Sequence, residues 1–239
     1  MKIVRFMCTG RIDLGFIVRA FLNGTDGVFI GGCWPGECHY LTEGNYLALS
    51  IVLLSKKLLG HLGVNPERLR LEWVSAAEGT RFAEVVNDFT KKLKAWGPLG
   101  KGEGLDEKAL TFKLEALQAL VPYMKLVERE RLRVPLKSES EYHRFFNSEE
   151  FDRLFHELIL DKLAMSQIMA LLRQGPVTVG EISRITGLSP SDVSRILHLL
   201  ARQGLGRFDE RQSLVAAAYE EGASPEARER GRWVRSASL

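Results

Sequence analysis

The period of the apolar positions changes along the chain. Near the start, Ile3-Val4-Arg5-Phe6-Met7 predicts a strand over residues 3–8, ending at Cys8. Leu14, Ile17, Val18 and Phe21 then recur every three or four residues. That spacing predicts a helix over 13–23, closed by the turn Asn23-Gly24-Thr25-Asp26-Gly27. The apolar run from Val28 to Gly31 reads as a second, buried strand. A long apolar segment predicts a helix over 45–62, stopped by Gly63-Val64-Asn65-Pro66. Residues 69–75 read as a third strand with Leu69, Leu71, Trp73 and Ser75 on one side. Phe82, Val85, Val86, Phe89 and Leu93 predict a helix over 78–96. Strands alternating with helices imply a parallel sheet with helices on its faces.

The period changes again after residues 97–104, a glycine-rich stretch that reads as a flexible linker. Residues 105–160 are helical by pattern. Leu110, Leu114 and Leu117 share a face over 105–120, and Pro122 and Pro135 are expected to interrupt or kink the chain beyond that helix. Ser148-Glu149-Glu150 starts a helix that sends Phe151, Leu154, Phe155, Leu158 and Ile159 towards a core. Residues 161–218 fit the pattern of a winged helix-turn-helix. Helices are expected over 163–174, 179–186 and 190–203, the last with Ser189 as cap and Pro190 at its first position. A wing begins at Gly204 and returns through 214–217. The tail over 219–239 is polar and reads as disordered. The expected fold is therefore α/β: a small parallel sheet flanked by helices over 1–97, a linker over 98–104, and an all-helical region ending in a winged helix-turn-helix.

Charge narrows the function classes. The net charge is +3 at pH 7, and residues 161–239 carry 11 basic and 9 acidic side chains, net +2. The third helix of the winged segment offers only Ser191, Ser194, Arg195, His198 and Arg202 to a groove. This is a weak footprint for a nucleic-acid reader and favours a structural or protein-docking use. No leader pattern opens the sequence, and the most apolar stretch, 46–54, is too short for a membrane span. A cytoplasmic protein is expected. Phosphate-cradling loops, zinc-protease helices and nucleophile elbows are absent from the sequence.

The chemistry concentrates in the cysteines. There are three: Cys8 at the end of the first expected strand, and Cys33 and Cys38 in Gly31-Gly32-Cys33-Trp34-Pro35-Gly36-Glu37-Cys38-His39-Tyr40. That loop lies at the carboxyl end of a strand, where open α/β sheets bind ligands. An odd count precludes a full set of intrachain disulfides. Clustered cysteines in a reducing compartment point to metal or redox chemistry. Thiolates suit iron–sulfur clusters, zinc or copper(I), and amides exposed around Pro35-Gly36 could donate to cluster sulfurs. The competing reading makes Cys8 and one loop cysteine small buried hydrophobes. A cluster usually takes four protein ligands. His39 is one candidate for the fourth, although adjacency to Cys38 turns the two side chains apart. Ser75 is another, although Ser75-Ala76-Ala77-Glu78 reads better as a helix cap with an acidic first turn.

Together these residues resemble a known family. Met7-Cys8-Thr9-Gly10-Arg11, Gly24-Thr25-Asp26-Gly27-Val28, Gly32 to Tyr40 and Gly44-Asn45-Tyr46 are similar to the delta subunit of methyl-viologen-reducing hydrogenase, which is an iron–sulfur subunit. Similarity continues through Pro66-Glu67-Arg68 and Glu72 to Gly79, and covers residues 1–97. The resemblance implies a 2Fe–2S cluster with Cys8, Cys33 and Cys38 as ligands. It implies electron relay between a hydrogenase, formate dehydrogenase or other upstream oxidoreductase and the flavin subunit of a heterodisulfide-reductase complex. Family members usually carry a further strand and a cysteine pair before the point where this sequence starts, so the chain reads as N-terminally shortened. Its cluster would then be lost, incomplete or completed by a partner residue. Two alternatives stand beside the relay. One is a cluster-less adaptor using Leu47, Leu49, Val52 and Leu53 as a partner interface. The other is a redox-responsive winged-helix transcription factor.

Overall fold

The computed structural model describes residues 1–41, 43–132, 134–135, 137–209 and 214–217. The chain forms two compact units, Met1–Leu163 and Ala164–Leu239.

In the first unit the α/β alternation holds, with one strand fewer than expected. Helix α1 (Leu14–Leu22) starts where the Asp13 carboxylate accepts from the Gly15 and Phe16 N–H groups. Strand β1 (Val28–Gly32) leads through helix α2 (Gly44–His61) to strand β2 (Leu69–Trp73). The two strands pair in parallel, with Val28 opposite Leu69 and Gly32 opposite Trp73. Helix α3 (Gly79–Trp96) comes next. The expected strand over 3–8 is not formed. Ile3 is 75% exposed and Met7 92% exposed, and the segment pairs with no strand among the described residues. Apolar alternation names the face a strand would bury; only a partner edge makes the ladder.

Helix α2 explains a second correction. Leu49 and Val52, expected as a partner interface, are buried, and only Leu47 of the set is exposed. The helix packs against α1, against β2 and against a later helix of the same unit, Glu139–Phe146. A helix apolar on most sides is a core helix.

Residues 97–104 are pinned rather than flexible. Arg68, fully buried, donates from Nε to Glu103 Oε1 at 2.5 Å and from Nη1 to the carbonyls of Asp26 and Gly97 at 3.0 Å each. Glu103 also accepts from Gly100 N at 2.9 Å. Burial pushes the Glu103 carboxyl up, but the Arg68 guanidinium and these N–H donors outweigh it and hold it below the ordinary value of 4.5. The segment therefore separates no cores: residues from Leu14 to Leu163 share one hydrophobic core.

Helix α4 (Glu107–Arg131) continues through Pro122. Proline removes one backbone donor, and burial of Leu117, Val121, Met124 and Val127 on both sides of it holds the helix together. Helix α5 (Glu139–Phe146) is the one that packs on α2. Helix α6 (Glu149–Phe155) begins where the Ser148 hydroxyl accepts from Phe151 N. A π-helical turn, His156–Leu160, carries it into helix α7 (Asp161–Leu172).

The second unit is a winged helix. Strand β3 (Val177–Thr178) precedes helix α8 (Val179–Thr186), whose start is a capping box between Thr178 and Glu181. Gly187, at φ +79°, closes α8 in the left-handed conformation. Helix α9 (Pro190–Arg202) buries Val193, Ile196 and Leu200. Strands β4 (Gly206–Asp209) and β5 (Leu214–Ala217) form an antiparallel wing, and β3 pairs on the other side of β5. The expected tail over 219–239 lies outside the described residues. Among the described residues no helix is long and apolar enough to cross a membrane.

Candidate iron–sulfur site

The three cysteines meet beside the first turn of α2, although Cys8 ends no strand. Cys8 precedes a 3-10 turn, Thr9–Arg11, closed by Arg11 N donating to Cys8 O at 3.1 Å. That turn packs against α2. Contact there is backbone to backbone: a Cβ on Gly10 would lie 2.6 Å from the Gly44 carbonyl. Cys33 and Cys38 come from the loop after β1. Glu37 N donates to Trp34 O at 3.0 Å, and Gly36 has φ +90°. Proline then glycine at the centre of that turn is the type II signature.

The Cys38 thiol, nearly fully buried, lies within hydrogen-bonding reach of both Cys33 and Cys8. The main-chain N–H groups of Tyr40 and Asn45 stand near it and favour its ionised form. Asn45 is the second residue of α2, whose cap residue Glu43 makes no side-chain capping bond. The Cys38 sulfur thus lies against the positive end of the helix, in contact with Gly44. Burial raises its pKa, and these donors outweigh burial and bring it below the ordinary thiol value. Cys33 goes the other way: burial, then the neighbouring Cys38, push it up.

Gly44 makes this approach possible. A Cβ there would collide with Cys38 Sγ and sit 3.6 Å from Cys8 Sγ. Replacing Gly44 with alanine should therefore push the sulfurs apart. The expected outcome is severalfold faster alkylation of Cys38 by iodoacetamide, read by mass spectrometry, with the helix content retained.

The loop is also held from its outer side. Trp34 Nε1 donates to Glu78 Oε2 at 2.8 Å, and the Arg81 guanidinium stands 5.0 Å over the Trp34 ring. The same Glu78 oxygen accepts from Ser75 N at 2.7 Å. Ser75 N and then Trp34 hold the Glu78 carboxyl below its ordinary range. The expected cap is thus reversed: Glu78 caps the Ser75 amide, and the Ser75 hydroxyl does not start α3. Ser75 lines a shallow cleft with Gly31, Val74 and Phe82 that contains none of the cysteines. His39 is exposed, its ring edge-on to Tyr40. Motif spacing does not mark Asn45, Trp34 or Glu78 as residues that hold the site. Only the glycine–asparagine pair at the start of α2 hints at one of them.

All three cysteines are free thiols, and among the described residues no set of three or more His, Cys, Asp or Glu side chains stands ready spaced for a metal ion. In kind, the donors fit an iron–sulfur group: soft sulfurs joined by main-chain N–H groups aimed at sulfur. In number they supply three of four ligands.

The fold and this site define a small α/β domain built around cysteines, joined to a winged helix. Comparison with known proteins places it. The family model for the methyl-viologen-reducing hydrogenase delta subunit matches residues 1–97, and a MarR family model matches residues 160–205. The iron-sulfur subunit of the F420-non-reducing hydrogenase of Archaeoglobus profundus is 52% identical over 98 residues, covering 41% of this chain and 71% of that protein. The iron-sulfur subunit of the vhc F420-non-reducing hydrogenase of Methanococcus voltae is 49% identical over 98 residues, 41% of this chain and 67% of that one. Part of a much longer protein is also similar. It is one subunit of the ferredoxin/F420H2-dependent CoB-CoM heterodisulfide reductase of Methanosarcina acetivorans, 40% identical over 100 residues. That stretch is 42% of this chain and 12% of the longer one. The chain belongs to the methyl-viologen-reducing hydrogenase delta subunit family.

Proposed function

We propose that the chain is an electron-transfer subunit holding an iron–sulfur cluster on Cys8, Cys33 and Cys38. The observation that carries the reading is the meeting of the three cysteines at the first turn of α2, with the Cys38 and Cys8 sulfurs beside Gly44 and the Cys33 carbonyl bonded to Asn45. A bound cluster would supply reversible one-electron exchange. The chain's own part is to gather the sulfurs, donate hydrogen bonds to Cys38, and shield it from water. A 2Fe–2S centre needs one more ligand, and a partner residue is the best candidate, since His39 faces solvent and Ser75 faces another cleft. The electron donor would be a hydrogenase, formate dehydrogenase or similar oxidoreductase. The acceptor would be a heterodisulfide-reductase-type flavin subunit. Support comes from the hydrogenase iron-sulfur relatives and from the related segment inside a heterodisulfide reductase.

One observation favours the adaptor alternative. Met7, Tyr40 and Leu41 flank the cysteines in sequence and are 92%, 56% and 61% exposed, a rim suited to an apolar partner surface. Iron and acid-labile sulfide should be measured on the native complex and on the anaerobically reconstituted chain. Stoichiometric iron and sulfide with a rhombic signal on reduction is the expected result. A native complex with no iron belonging to this chain replaces the relay with the adaptor.

A further inference from the structure

We infer that Asn45 is the positioning residue of the cysteine site, fixing Cys33 and Cys38 relative to each other from one point. The inference rests on the reading of these cysteines as cluster ligands. Asn45 is 0% exposed, an unusual place for a side chain that most often faces water. Its side-chain Nδ2 donates to the Cys33 carbonyl at 2.8 Å, twelve residues back along the chain. Its main chain lies in the first turn of α2, where the neighbouring Gly44 stands so close to the Cys38 sulfur that a Cβ there would collide with it. The first turn of α2 thus holds both ends of the Cys33–Cys38 loop, Cys33 by the Asn45 hydrogen bond and Cys38 by close contact at Gly44. The grip is rigid because the main-chain half belongs to α2, whose Ala48, Leu49 and Val52 lie in the core.

A second observation points the same way. Asn45 Oδ1 is buried and has no hydrogen-bond partner among the described residues. A buried acceptor left unpaired is costly, so a residue chosen only to fill space would be apolar. Keeping an amide here makes sense when its donor half is needed. The Cys33 carbonyl is that need: without Nδ2 it would lose its donor at a ligand residue, and the loop would turn it towards water.

The test compares Asn45→Ala and Asn45→Asp with the unaltered full-length chain. Aspartate keeps the shape of asparagine and, ionised, cannot donate. Before reconstitution, iodoacetamide labelling of each cysteine is read by mass spectrometry. Both variants should label Cys33 at least fivefold faster, with Cys38 changed less because its contact with Gly44 survives. After reconstitution, both should lose iron to a chelator at least tenfold faster, with an altered visible circular dichroism spectrum. Aspartate behaving like asparagine in labelling would overturn the inference, because shape alone would then suffice. Should either variant fail to fold, the unaltered chain decides: the Asn45 side-chain amide protons must exchange slowly with solvent, and fast exchange overturns the inference. An unaltered chain that takes up no iron sinks the cluster reading instead, and the labelling pattern still judges Asn45.

Discussion

Replacing Glu103 with alanine should cost the first unit about 3–5 kcal/mol, the range for removing one partner of a buried ion pair. The Glu103 side chain is 11% exposed and that of Arg68 0% exposed, so the guanidinium would be left buried with carbonyl partners alone. A loss of that size is a large share of the roughly 5–15 kcal/mol that holds a domain together. It should appear as a lower denaturant midpoint for the first unit. An Arg68→Met, Glu103→Leu double variant leaves neither charge unpaired, and should cost less than the two single changes added together. The pH dependence comes from the carboxyl. Its folded pKa is held below the ordinary 4.5, so the stability it brings is fully present above 4.5. That stability is lost as pH falls through the folded value. Glu103→Gln should flatten this acid limb while leaving the neutral-pH limb of the curve in place. A denaturant midpoint within error of the unaltered chain for Glu103→Ala would show that the loop 97–104 is not pinned by this pair.

The elements that the sequence makes legible are those whose burial is one-sided and local. Helix α9 is an example: Pro190, the Ser189 cap and Val193, Ile196 and Leu200 at helical spacing leave little else for the segment to do. Helix α8 ends where Gly187 supplies the positive φ. The failures are non-local. Ile3 to Met7 has the composition of a strand, and strand formation depends on an edge that the sequence does not advertise. The glycines of 97–104 suggest freedom, yet the Arg68–Glu103 pair packs tightly against them. A Cβ on Gly102 would stand 2.8 Å from Arg68 Nη2. Pro122 suggests a break, and core contacts on both sides override it. At the site, the cysteine spacing names the sulfurs. The groups that hold them, Asn45 from α2 and Glu78 from the turn before α3, reach the loop from 12 and 44 residues away. Spacing arguments work along the chain, and these bonds run across it.

Cys38→Ser should abolish cluster incorporation, and it is the most decisive of the three cysteine substitutions. Cys38 is the most buried of the three, and its sulfur sits against Gly44 at the start of α2 beside the Cys8 sulfur. Serine changes the ligand chemistry and little else. Its hydroxyl is smaller and still a hydrogen-bond acceptor, so it fits the same place beside the first turn of α2. The soft, easily ionised donor that iron–sulfur groups require disappears. Iron and sulfide in the reconstituted variant should drop to background, with the visible absorbance and the reduced-state paramagnetic signal gone. The winged helix, whose core of Ile182, Val193, Ile196 and Leu200 lies in the other unit, should melt as before. Cys33→Ser is expected to behave alike in cluster loss. Cys38→Ser protein that still binds iron and sulfide in the proportions of the unaltered chain would remove Cys38 from the ligand set and, with it, the relay reading built on these three sulfurs.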